Sequence, residues 1–263
     1  LAVYPYDKNQ EAYYASNRFD LYVTYPVNQT YEPNSFGKGA NVMIASGESG
    51  TDENLFFRNA CGYLVLKLFS DYTKVRSITL SSIDDKVKIS GYATITVNQG
   101  DENFKVSLGD YTSQSEVTLD CSNGGDGVVL GTDEGTATEF WFALPPRTIE
   151  GGFRIVVTDT DGFTYTKETT KNVVIKRNEI QPMAALELSV MSQDITTVPA
   201  ADQIWYTRDE GETSPVTFGS ADPFDAEIES HRYYEDRGIF VIDFKSAVRT
   251  IKSKAFQDVP ITG

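Results

Sequence analysis

The sequence predicts an all-β protein of the sandwich type, and three observations carry that prediction. Apolar and polar residues alternate with a period of two in short runs. Examples are Phe104-Lys105-Val106-Ser107-Leu108, Val117-Thr118-Leu119-Asp120-Cys121 and Phe140-Trp141-Phe142-Ala143-Leu144. Threonine, tyrosine, valine and isoleucine, which suit a pleated and half-buried surface, recur throughout. No long stretch keeps the 3.6-residue apolar period of an amphipathic helix.

Read in order, the elements fall into three regions. Residues 1–54 hold three strands, near residues 2–6, 19–25 and 41–45, followed by a polar linker over 46–54. They read as the remnant or C-terminal part of a first sandwich domain. Residues 55–188 hold enough strands for a complete second sandwich. Its in-register apolar positions predict a core of Leu64, Leu66, Ile78, Leu80, Val117, Leu119, Phe140, Phe142, Ile155 and Val157. Within it, Phe153, Ile155 and Val157 alternate toward one face. Asp161-Gly162 supplies type I′ turn chemistry, and Phe163, Tyr165 and Lys167 alternate on the return. The run Ser122-Asn123-Gly124-Gly125-Asp126-Gly127 is a second turn cluster. Pro145-Pro146 ends the strand before it, because proline donates nothing to a ladder. Residues 189–263 read as an irregular C-terminal extension, with Ile204-Trp205-Tyr206, a loop over 209–225 and a strand over 239–244.

Composition narrows the function. The 263 residues carry 23 Lys and Arg against 38 Asp and Glu, a net charge of −15. Such a surface repels phosphate backbones and anionic lipid, so no nucleic-acid partner is expected. One histidine and two cysteines fall short of the four ligands of a structural zinc site. A nucleophile–histidine pair could use only His231. No apolar run approaches the ~20 residues that span a bilayer. The chain is therefore expected to be no enzyme, with no catalytic residue, cofactor or metal.

Individual motifs support the same expectation. Thr158-Asp159-Thr160-Asp161-Gly162 resembles a calcium loop but lacks the later glutamate and the flanking helices, so a hairpin turn is favoured. Ser46-Gly47-Glu48-Ser49-Gly50 has the wrong spacing for a nucleophile elbow. Nothing in the sequence orients His231 as a base. The carboxylate pairs Asp84-Asp85, Asp133-Glu134 and Asp209-Glu210 lie in turn-like stretches and read as solvated. Tyr13, Tyr14, Tyr22, Tyr25 and Tyr31 fit either an exposed sugar platform or, with more weight, core packing. Cys121 shares the core face of Val117 and Leu119. Cys61 points outward by strict alternation from Leu64, Leu66 and Leu68, unless a bulge at Gly62 reverses the parity. Cys61 and Cys121 are thus equally readable as a disulfide or as two buried thiols. Asn28-Gln29-Thr30 fits an N-glycosylation sequon.

One family resembles the chain. Phe56-Phe57-Arg58-Asn59-Ala60-Cys61-Gly62-Tyr63-Leu64-Val65-Leu66-Lys67-Leu68 is similar to the strand that opens the second domain of fimbrillin-like proteins of Bacteroides-type bacteria. Val75-Arg76-Ser77-Ile78-Thr79-Leu80, Ile89-Ser90-Gly91-Tyr92-Ala93-Thr94-Ile95 and Phe140 through Pro146 continue the pattern. Ala2-Val3-Tyr4-Pro5-Tyr6 and residues 29–45 resemble the end of the first fimbrillin domain. Farther on, Ile204-Trp205-Tyr206-Thr207 and Val248 through Phe256 resemble the lead-in to bacterial surface leucine-rich repeats.

The resemblance implies transthyretin-like β-sandwich domains and an exported protein of the outer membrane, cell surface or fimbrium. It also implies a non-catalytic structural or adhesive role. Partners would be other fimbrial subunits, joined by strand complementation, and a host or bacterial surface protein or glycan. It places further strands before Leu1, so the expectation is an incomplete first domain that accepts a complementing strand. The alternatives are a glycan-binding surface lipoprotein and, behind it, a β-sandwich glycosidase.

Overall fold

The structure is a computed structural model. It describes residues 1–6, 11–15, 17–45, 47, 50, 54–70, 73–98, 103–188, 192–194, 201–208, 211–219, 223–235, 238–252, 255 and 256. The fold is all-β. The chain divides into two compact units, Leu1–Asp194 and Ile195–Gly263.

The first unit begins with β1 (Ala2–Tyr4), β2 (Ala12–Ala15), β3 (Arg18–Tyr25), β4 (Asn28–Glu32), β5 (Ser35–Phe36), β6 (Met43–Ala45) and β7 (Arg58–Asn59). It continues with β8 (Gly62–Phe69), β9 (Lys74–Ser82), β10 (Ser90–Asn98), β11 (Phe104–Gln114), β12 (Glu116–Asp120), β13 (Val128–Val129) and β14 (Thr138–Leu144). It closes with β15 (Arg147–Ile149), β16 (Phe153–Asp159), β17 (Thr164–Thr169), β18 (Val173–Ile175), β19 (Ile180–Glu187) and β20 (Ser192–Asp194).

These strands build layers. A large sheet runs β20-β17-β16-β9-β12-β4-β5, with β13 also on β9. It packs on a smaller sheet, β14-β8-β19. All ten positions expected in this sandwich core are buried, none more than 4% exposed. A second core lies on the other face of the smaller sheet. There Tyr63 and Ala143 pack with Leu21, Val23 and Tyr25 of β3 and Ala93, Ile95 and Val97 of β10. The strands β3 and β10 belong to the sheet β11-β10-β3-β2, while β1-β6-β7 form a further small sheet.

The division at residue 54 does not survive. The strands of the first 45 residues sit in three different sheets, and each of those sheets continues into strands from beyond residue 55. β3 pairs with β10 along eight residues, β4 runs parallel to β12, and β6 pairs with β7. β10 and β11, taken from the stretch assigned to the second sandwich, extend the sheet of β2 and β3. Local alternation marks each strand but carries no information on which distant strand it joins.

Two further expectations change. The β16–β17 connection is no two-residue type I′ turn. Only Gly162 has positive φ, at 88°, and its N–H donates to the Asp159 carbonyl at 3.2 Å. Asp159 N–H donates to the Phe163 carbonyl, so this is a tight turn followed by a glycine bulge. Cys61 is fully buried, though parity sends it away from Leu64 and Leu66. No bulge is needed: the first five residues of β8 are all buried, so its second face also meets a core.

The second unit holds β21 (Gln203–Tyr206), β22 (Ile228–Tyr234) and β23 (Ile239–Phe244), an antiparallel sheet in the order β21-β23-β22. Its core is aromatic, built on Tyr206, Phe224, Phe240 and Phe244 with Val216 and Ile242. Tyr206 stacks on Phe240 with centroids 4.8 Å apart. Among the described residues no helix is long and apolar enough to cross a membrane.

Candidate functional site

A concavity of the first unit lies at one end of the sandwich, between two strand edges. Its floor is Leu66 and Leu68 of β8 with Phe153 and Ile155 of β16. Residues 183–186 of β19 form one wall and residues 167–169 of β17 the other. The volume is about 190 Å³, and the lining is overwhelmingly apolar. A cavity of about 150 Å³ holds a benzene-sized group, so this one admits a large side chain.

The edges follow from the sequence. Among the described residues β19 pairs only with β8, and Pro182 has no N–H to offer a neighbour. Its register slips between Pro182 and Ala185, at the stretch that lines the cleft. β17 is covered by β20 only over Thr164, Tyr165 and Thr166. From Lys167 to Thr169 its outer edge has no partner strand among the described residues. Two open ladders therefore flank one apolar slot. Arg154 and Glu168 form an ion pair at 2.6 Å on β16 and β17.

The opposite end of the sandwich is closed. There the Gln29 carboxamide behaves as an added peptide unit: it donates to the Ala143 carbonyl at 2.8 Å and accepts the Ala143 N–H at 3.0 Å. Gln29 is 4% exposed and joins β4 to β14 across the layers. Tyr31 packs beside it on Phe140. In the sequence, Gln29 stands out only as the middle of a sequon. A single polar residue in an alternating strand looks solvent-facing until its partner is known.

The cysteines are two free, buried thiols with no disulfide between them. Burial pushes the Cys61 thiol up to about 12, although the Val42 N–H at 3.3 Å opposes the rise. Burial raises Cys121 as well. Neither thiol lines the cleft. Asp159 is 1% exposed and organises the turn that resembles a calcium loop. It accepts from the Asp161 and Phe163 N–H groups at 3.0 and 2.8 Å and from the Tyr165 hydroxyl at 3.3 Å.

Other candidates resolve into structural roles. Asp84 accepts the Lys86 N–H, and Asp133 caps a short turn through the Thr136 N–H. Asp209-Glu210 lies outside the described residues, as do Ser46, Glu48 and Ser49 of the elbow-like run. His231 does have an orienting group, which the sequence did not reveal: Tyr206. The Tyr206 Oη accepts the Val216 N–H at 3.1 Å and shares a hydrogen bond with His231 Nε2, 2.7 Å away. Burial lowers the His231 pKa, which favours the neutral ring. Among the described residues no three His, Cys, Asp or Glu side chains gather as a metal site.

The tyrosines divide. Tyr25 is fully buried and donates to the Ala60 carbonyl at 2.9 Å, while Tyr31 serves the core. Tyr14 covers Phe19, with ring centroids 4.6 Å apart. Tyr13 and Tyr22 are exposed on the outer face of the β3 sheet.

Comparison with known proteins adds little. No family matches the chain by sequence, and no curated protein does. Among solved structures, one protein of Bacteroides ovatus, provisionally assigned to cell adhesion, is 15% identical with a TM-score of 0.34. The match covers 67% of this chain and 66% of that one. A likeness this loose carries no argument.

Proposed function

We propose that the chain is a non-catalytic, fimbrillin-like surface protein with a structural or adhesive role. It joins partner subunits through main-chain pairing at the end of its sandwich. The observation that carries this reading is the apolar cleft held between the open edges of β19 and β17. An extended segment laid there would find unpaired N–H and C=O groups on both sides and an apolar floor for alternate side chains. The sequence resemblance to fimbrillin-like proteins supports an exported location at the cell surface or fimbrium.

Self-association tests the reading on the intact chain. Light scattering over a concentration series should show oligomers, with amide protection gained at 183–186 and 167–169 on assembly. Met183→Asp, which sets a charge in the slot, should return the protein to monomer. A wild-type monomer at every concentration, with unchanged exchange along β19, would overturn it.

A further inference from the structure

The open face of the sheet β11-β10-β3-β2 lies apart from that cleft. On β3, Leu21, Val23 and Tyr25 point into the second core, so Asp20, Tyr22 and Thr24 point out. Register then fixes their outward neighbours. Tyr13 of β2 pairs with Asp20, and on β10 Thr96 pairs with Asp20, Thr94 with Tyr22, and Tyr92 with Thr24.

Along the β3 axis the three outward tyrosines therefore stand at the levels of residues 20, 22 and 24, each one strand over from the last. Tyr13, Tyr22 and Tyr92 form one straight diagonal. They are 68%, 44% and 55% exposed. Diagonal neighbours on a sheet lie about 7–8 Å apart, so the row is about 15 Å long. Hydroxyls border it: Thr24 and Thr94 fill the cross-strand positions, and Ser107 of β11 follows Thr94 outward.

Among the described residues, opposite charges on this face are matched. Arg18 pairs with Asp20 at 2.5 Å, and Thr96 donates to the same carboxylate at 2.7 Å. Glu11, whose carbonyl accepts the Tyr22 N–H, stands at one margin, and Lys105 at the other. Among the described residues two carboxylates thus stand with two cations, on a protein whose net charge is −15.

We propose that the Tyr13–Tyr22–Tyr92 diagonal is a binding platform for a neutral polysaccharide. The chemistry is complementary. A sugar ring presents an apolar C–H face, which lies on an aromatic ring, and a rim of hydroxyls, which pair with threonine and serine. A linear row suits a chain of sugars better than a single one. The balanced local charge fits an uncharged ligand, while the acidic protein as a whole repels polyanions. A protein partner is less well matched: a stable protein interface needs a desolvated core of apolar side chains, and Asp20, Thr24, Thr94 and Thr96 occupy the positions between these tyrosines. Pairing at the β19 edge is a separate matter and neither requires nor excludes this site.

Affinity electrophoresis tests the proposal on the full chain. The gels contain one neutral polysaccharide each, from mixed-linkage β-glucan, xylan, galactomannan and glycogen, with alginate as the anionic control. At least one neutral gel should retard the protein, and alginate should not. Tyr22→Ala and Tyr92→Ala should each weaken that retardation about tenfold or more, as loss of a central aromatic anchor does. Tyr22→Phe should keep most of it, because the ring face remains. Tyr14→Ala, off the row, should change it little. Unchanged melting temperatures in the Tyr22 and Tyr92 variants separate lost binding from lost folding. No retardation in any neutral gel, retardation by alginate alone, or retardation indifferent to Tyr22 and Tyr92 would each overturn the proposal. So would row-dependent capture of a second protein molecule without any sugar.

Discussion

Two sheets of the first unit use the same strand chemistry toward opposite ends. In β14-β8-β19 the central strand is buried on both faces, and its sequence Gly62-Tyr63-Leu64-Val65-Leu66 has no polar residue to spare. In β11-β10-β3-β2 the central strands are buried on one face, and β10 alternates strictly from Tyr92 to Asn98. A continuous apolar run signals a strand with a core on each side, and alternation signals one free face. The first sheet holds the layers together. The second leaves a surface free to meet something else.

The contrast should appear first in reactivity. Cys61 sits where the doubly buried strand enters, with its thiol raised to about 12. Cys121 is buried in the neighbouring layer. Both thiols should react with an aromatic disulfide reagent at least about a thousandfold more slowly than in denaturant, because labelling waits on opening of the core. Rapid native labelling of either thiol would mean that the layers are not closed.

Stability should follow the same division. Phe142→Ala empties a site on β14 opposite Leu64 and should cost about 3–5 kcal/mol in urea unfolding. Gly62→Ala should cost about 1–3 kcal/mol or more by overpacking. Its Cβ would stand 2.2 Å from the Lys176 carbonyl oxygen and 2.7 Å from Ile175 Cγ2. Losses below about 0.5 kcal/mol at both positions, the range of ordinary surface changes, would erase the distinction between the sheets.

Gln29 tests how the layers are tied. Gln29→Ala strands the Ala143 N–H and carbonyl without their partners and should cost about 2 kcal/mol. Gln29→Glu keeps an acceptor for the N–H but sets an oxygen against the carbonyl, so it should not restore stability. Full recovery with glutamate would show that volume, rather than the paired amide, closes this end.

Much of this organisation was legible from sequence. Alternation located β3, β12, β14 and β16 and the core positions on the last three, and Pro145-Pro146 ended β14 as expected. Partner choice was not legible. Six whole strands, β4 through β9, separate Tyr22 and Tyr92 in sequence, and only the β3–β10 register makes them diagonal neighbours. The same limit hid the role of Gln29 and made residues 1–54 look like a separate domain. Tyr25 and Tyr31 looked equal to Tyr22 because composition does not tell one face of a strand from the other; parity against Leu21 and Val23 would have separated Tyr22 from Tyr25.

The smallest effect should come from the charges on the open face. The Thr96 hydroxyl is the main influence that holds the Asp20 carboxyl below its usual range. Partial burial opposes it, and the Arg18 guanidinium assists. A carboxyl whose pKa is depressed by folding adds stability above its unfolded value of about 3.9, and that stability is lost as pH falls through the lower folded value. Wild type and Asp20→Asn should therefore converge in unfolding free energy on acidification and separate again near neutrality. The separation should stay under about 1 kcal/mol, because Arg18 is 56% exposed and an exposed ion pair is worth little. About 1 M salt, which shortens the screening length to about 3 Å, should shrink it further while leaving the Phe142 and Gln29 costs in place. A gap as large as that of Gln29→Ala, or one that grows toward low pH, would show that this face is not the lightly bound surface described by its exposure.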